Sequence, residues 1–144
     1  MEDNKLAVVN TEKNLASELK DVKSQAYTSL GNESREEKSL LYKAMSNPDE
    51  RLSDHINQTI MVKDVYMEMV DMVNEETGEV VTSPRIVLID ENNVSFQCVS
   101  FGVFNALKRI FQVFGEPTWN EPIKMKVIQV QKKEKKMLSL DVEI

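Results

Sequence analysis

The side chains that could do chemistry here are lysines. Lys124, Lys126, Lys132, Lys133, Lys135 and Lys136 all fall within residues 121–136, where the only acids are Glu121 and Glu134. A lysine ammonium is a compact point charge suited to phosphate, so a cluster this dense is a candidate for following a sugar-phosphate backbone. Lysines on a hairpin also guard an edge against aggregation, which is the bland alternative. The rest of the 144-residue chain is acidic, with a formal net charge of -6. Segment 71–79 alone carries Asp71, Glu75, Glu76 and Glu79 with no base. Position therefore matters more than the sum, and a basic finger on an acidic molecule can still meet phosphates.

Binding a single strand without regard to sequence needs cations plus faces on which bases stack, at roughly 1–3 kcal/mol per base. Aromatics are few, at 6% of the chain, so each is weighed by its setting. Trp119, in the proline-flanked "EPTWNEP", could be a stacking platform or could cover a core. Tyr66 follows Lys63 in a strand, and its hydroxyl favours a half-exposed place facing ligand. Arg85 can pair a phosphate or stack on a base. Phe96 reads as core, leaving Gln97 and Ser95 on the opposite side of their strand to touch ligand. Lys108 and Arg109 read as solvated charge on a helix.

Nothing points to catalysis. His55 and Cys98 are each the single residue of their type, so neither has a partner of its kind for a metal, and Cys98 reads as a buried thiol. With four glycines there is neither a phosphate-binding Gly loop nor a nucleophile elbow. The acids of "NEETGE" lack EF-hand spacing. No enzyme, metal or cofactor is expected. The N-terminus lacks a basic and apolar leader, and no apolar run reaches the roughly 18 residues of a membrane span, so the expected address is cytoplasmic.

The elements that must position these residues follow from periodicity. Residues 1–33 form an arm with one apolar stripe, Leu15, Leu19, Val22 and Ala26, either partly disordered or a helix that docks on a neighbouring copy. Residues 34–55 are short helices: Ser34 and Glu37 make a capping box, and Asn47-Pro48 restarts a turn running to about Asp54. From residue 56 the period becomes two. A long strand from Thr59 changes phase between Val62 and Val65, which suggests a bulge. "NEETGEV" turns into "PRIVLID", and "VSFQCV" follows. Phe104, Leu107, Phe111 and Phe114 then mark an amphipathic helix ending at Gly115. "PIKMKVIQV" and "MLSLDVEI" complete the set, the last burying Leu138, Leu140, Val142 and Ile144. The order β-β-β-α-β-β with a kinked first strand is that of the five-stranded OB barrel, here over residues 56–144 with a helical N-terminal extension. In such barrels the basic hairpin would be the strand-four to strand-five connection, beside the ligand face.

The wording matches as well as the pattern. "NPDERLSDHI", "NEETGEV", "PRIVLID" and "GEPTWNEPIK" resemble the OB-fold single-stranded DNA-binding proteins of Gram-positive conjugative plasmids and phages, those of the PrgE type above all, over roughly residues 45–144. The resemblance implies non-catalytic binding of single-stranded DNA in plasmid conjugation or phage DNA processing. Together with the charge pattern it leads to an expectation of little sequence preference, some affinity for double-stranded DNA, and self-association through the arm. The rival from another class is an OB-fold adaptor that binds protein through its acidic hairpin.

Overall fold

The computed structural model describes residues 26–31 and 33–143, with the backbone alone at Lys132. Its elements are β1 (Ala26–Thr28), α1 (Arg35–Ser46), β2 (Glu50–Arg51), a 3-10 turn (Leu52–His55), β3 (Thr59–Val73), β4 (Val80–Asp90), β5 (Ser95–Val99), α2 (Phe101–Phe114), β6 (Ile123–Lys132) and β7 (Lys135–Val142). The β-β-β-α-β-β order stands, and two short strands, β1 and β2, join it. Of the arm stripe, Leu15, Leu19 and Val22 lie outside the described residues, while Ala26 opens β1 and pairs with Glu68 instead of ending a helix.

β3 organises the sheet. Its register against β4 slips between Val62 and Asp64, so the pairs run Val62 with Asp90, then Asp64 with Ile89. The extra residue resets the alternation. Ile60 and Val62 before the slip, and Val65 and Met67 after it, consequently all enter one core. The strands lie in the order β2-β5-β4-β3-β6-β7, with β1 added to β3. α2 packs against both β4 and β7, although β3 and β6 separate those strands in the sheet. Only a curled sheet can touch one helix that way. Among the described residues no ladder joins β5 to β7, so the sheet is a half-barrel with an open seam between those two strands.

α2 is held to that seam at its first turn. The Ser100 hydroxyl accepts from the Val103 amide at 3.1 Å and reaches the Leu138 carbonyl of β7 at 3.3 Å. Gly102 makes the approach possible, because a Cβ there would lie 2.1 Å from the Leu138 carbonyl oxygen. Val103, Phe104, Leu107, Ile110 and Phe111 are buried. Phe114, expected in the same stripe, is 49% exposed. The core beneath the last turn is occupied by Trp119, which meets Phe111 edge to face at 5.6 Å and donates its indole N–H to the Gly115 carbonyl. In β7, Leu140 is buried, Leu138 and Val142 are half-buried, and Ile144 lies outside the described residues.

A second apolar cluster occupies the other face of β3 and β4, where Tyr66, Val87 and Ile89 lie beneath Leu30 and Ala44. α1 thus covers the sheet. Its start has the expected capping box of Ser34 and Glu37. Its exit differs from expectation: the chain after Pro48 becomes β2, parallel to β5, before the 3-10 turn. Asp49 explains this, since its carboxylate accepts from the backbone and hydroxyl of Ser95 at 3.0 and 3.1 Å, and pairs with Lys43 at 2.6 Å. Burial alone would raise the Asp49 pKa, but the hydrogen bonds from Lys43 and Ser95 outweigh it and hold the carboxyl below its usual range. Ser95 is 3% exposed and fully used here, not a ligand-facing residue.

Candidate nucleic-acid interface

β6 and β7 form a ladder from Met125–Val142 to Lys132–Lys135, closed by the two-residue turn Lys133–Glu134. Alternation places Ile123, Met125 and Val127 in the core. Lys124 and Lys126 therefore point outward, the first exposed and the second half-buried. Lys132 lies six residues past Lys126, about 20 Å along an extended strand. Its side chain is outside what the structure describes. Lys133, Lys135 and Lys136 are exposed at the tip, and Lys133 adopts φ 57°, a left-handed conformation unusual for a side chain other than glycine. Below the tip, Val130 and Met137 face each other and remain 43% and 39% exposed.

Beside this hairpin runs a groove of about 430 Å³ between β5 and β7, lined by Arg51, Ser53, Gln97, Cys98, Val99 and Leu138. Phe101 stands just past β5 at the first turn of α2, 45% exposed. Arg51 is exposed. Burial pushes the Cys98 thiol up to about 12, the Arg85 charge offsetting this only in part, so the sulfur is a neutral wall at neutral pH. An exposed ring at the start of α2, an exposed guanidinium on the groove wall and the ammonium groups of the β6–β7 hairpin lie on the elements that border this seam. That arrangement can take phosphates along the hairpin and a base against the ring.

A family model described as phage single-stranded DNA-binding protein matches residues 20–143. The chain belongs to the phage single-stranded DNA-binding protein family. No curated protein and no solved structure matches it. Membership points to single-stranded DNA as the ligand against which this surface is to be read. No helix among the described residues is long and apolar enough to cross a membrane, and no group of three or more of their His, Cys, Asp and Glu side chains is placed to hold a metal ion.

For a single-stranded DNA-binding chain, several residues marked out in the sequence turn out to be occupied elsewhere. Tyr66 is 1% exposed, roofed by Leu30 and Ala44, and donates its hydroxyl to Glu68 at 3.0 Å. Burial, then that acceptor, pushes its hydroxyl pKa up to about 12, and at this exposure the ring offers no free face. Arg85 donates to Glu68 at 3.2 Å, to Gln97 at 3.3 Å and to the Ala44 carbonyl at 3.4 Å, with its side chain 14% exposed. Its guanidinium ties α1 to the sheet and has little left for phosphate. Trp119 is core, 8% exposed. Lys63 sits at the β3 bulge, where its carbonyl accepts from the Trp119 amide, far along β6 from the hairpin tip. Gln97 does border the groove, though its amide oxygen is engaged by Arg85. Lys108 is half-buried with its ammonium 5.2 Å from the Phe104 ring centroid, while Arg109 is exposed.

Arg51, Val99 and Phe101 were not among the residues the sequence marked. Phe101 lies three before Phe104 and so has the spacing of the buried stripe. Nothing local distinguishes it; only the lateral shift of α2 onto β7 leaves its ring outside.

Proposed function

We propose that this chain binds single-stranded DNA without catalysis and with little sequence preference. The backbone follows the β6–β7 hairpin through Lys124, Lys126, Lys132, Lys133, Lys135 and Lys136, and a base enters the β5–β7 seam against Phe101 and Arg51. The observation that carries the reading is the basic hairpin whose β7 strand, through Leu138, forms one wall of the β5–β7 groove, with the exposed Phe101 two residues past the end of β5. The half-barrel, its kinked β3 and the α2 helix packed on β4 and β7 are read as an OB-type domain open between its third and fifth strands. Because phosphate contacts lead, duplex DNA binds as well, more weakly by the stacking contribution. The setting is cytoplasmic plasmid transfer or phage DNA processing, as for proteins of the PrgE type, and the arm through Leu15, Leu19, Val22 and Ala26 contributes to self-association.

The test is fluorescence anisotropy of labelled oligo-dT and of an equal-length duplex at several salt concentrations. Binding weakens with salt, and Lys133→Glu/Lys135→Glu/Lys136→Glu reduces the slope of log K against log salt by about 2, from roughly 0.7 per lost single-strand phosphate contact. Phe101→Ala lowers single-strand affinity by about 5–150-fold, equivalent to roughly 1–3 kcal/mol of stacking, and leaves duplex affinity unchanged. An unaltered salt slope in the triple variant rejects the hairpin, and equal losses on both DNAs reject the stacking site.

A further inference from the structure

The acidic β3–β4 hairpin is as deliberately built as the basic one. Asn74 closes it, its side-chain oxygen accepting from the Glu76 and Thr77 amides at 2.9 and 3.3 Å while its carbonyl accepts from Gly78, which adopts φ 77°. Glu75, Glu76 and Glu79 are exposed on this ordered tip. Beneath them Val73 faces Val80, the two 63% and 60% exposed. The basic hairpin repeats the design with opposite sign, an aliphatic rung of Val130 and Met137 beneath Lys133, Lys135 and Lys136. Each hairpin thus carries one exposed aliphatic rung beneath its charged tip.

The topology sends the two tips in opposite directions along the sheet. Thr59 of β3 pairs with Lys126 of β6, and the strands are antiparallel. From that rung β3 runs 14 residues to Val73, about 46 Å, while β6 runs six residues the other way to Lys132, about 20 Å. The tips project from opposite ends of the sheet. A positive tip and a negative tip that leave their shared rung in opposite directions can meet between copies, and such a contact is heterologous, leaving a free tip at each end of the pair.

We infer that the acidic β3–β4 tip of one copy docks on the basic β6–β7 hairpin of a second, and that single-stranded DNA displaces it. The association itself follows from the two hairpins; the displacement rests on the DNA reading above, because both ligands claim Lys133, Lys135 and Lys136. The carboxylates act as a stand-in for phosphates, and the valine rung meets Val130 and Met137. Free chains string together at low salt and come apart when DNA fills the hairpins.

Sedimentation velocity on the full chain tests this at low and high salt, with and without a short oligo-dT. The wild type sediments as oligomers at low salt and shifts toward monomer with high salt or saturating oligo-dT. Glu75→Lys/Glu76→Lys/Glu79→Lys abolishes the low-salt oligomers while binding the short oligo at least as tightly. Lys133→Glu/Lys135→Glu/Lys136→Glu abolishes them too, and an equimolar mixture of the two variants restores complexes, which shows that both are folded. An unchanged mass distribution in the glutamate variant, or no complexes on mixing, overturns the inference. Oligomers that persist with oligo-dT bound overturn the displacement alone, and normal DNA affinity in the lysine variant overturns the DNA reading without touching the association.

Discussion

At the scale of single residues, Lys133 is the informative one. Glycine is the residue that tolerates φ near 57° freely, and an L side chain there costs about 1–2 kcal/mol. Lys133→Gly is therefore expected to raise stability by about 1 kcal/mol in a urea melt while lowering DNA affinity, a trade that would mark the lysine as kept for its charge. His55 offers a second test. Its Nδ1 lies 2.8 Å from the Gln58 side-chain oxygen and its Nε2 3.0 Å from Glu50. With the Gln58 oxygen and the Glu50 carboxylate as acceptors, both ring nitrogens carry a proton, the imidazolium form. The Gln58 hydrogen bond most of all, then Glu50, raises the pKa above the ordinary 6.5 despite partial burial. The stabilisation is complete below pH 6.5 and disappears as pH rises through the raised value. Thermal melts should show Glu50→Gln less stable than wild type at pH 6, by under about 1 kcal/mol for so exposed a pair, and equal to it at high pH. What sequence could not reveal at this scale was burial from a distance. Tyr66, Arg85 and Trp119 have chemically apt side chains, but Ala44, Glu68 and Gly115 use them, and two of those partners belong to other elements.

At the scale of elements, most of the architecture was legible because periodicity and punctuation agreed. The capping box at Ser34, the end of α2 at Gly115 and the phase slip in β3 are local events with local signatures, and each is where it was expected. β2 was not legible. Its two residues are extended because Asp49 bonds Ser95, 46 positions away, and a proline followed by two acids looks like a helix start when that partner is unseen. Phe101 failed for a related reason, the sideways placement of α2. Gly102 controls that placement. Gly102→Ala sets a methyl group 2.1 Å from backbone oxygen, which cannot swing away like a side chain. The helix start must lift off β7. A loss of about 1–3 kcal/mol in denaturant unfolding is expected, the usual range for overpacking, together with altered affinity because Phe101 moves with it.

At the scale of the whole molecule, the net charge of -6 misleads and the distribution informs. Acid and base collect on separate hairpins that leave the sheet in opposite directions, so the chain is an electric dipole as well as an acidic protein. That polarity was readable from the sequence; the direction of each tip was not, since it depends on which strand pairs with which. The seam between β5 and β7 matters in another way. A strand bound there as proposed lies along an unzipped edge, with no ladder across it among the described residues, and does not have to be threaded from a free end. A strand can be laid in sideways, anywhere along its length. A covalently closed single-stranded circle should then compete for the chain as well as a linear strand of the same composition, and a strand capped by bulky groups at both ends should load without delay.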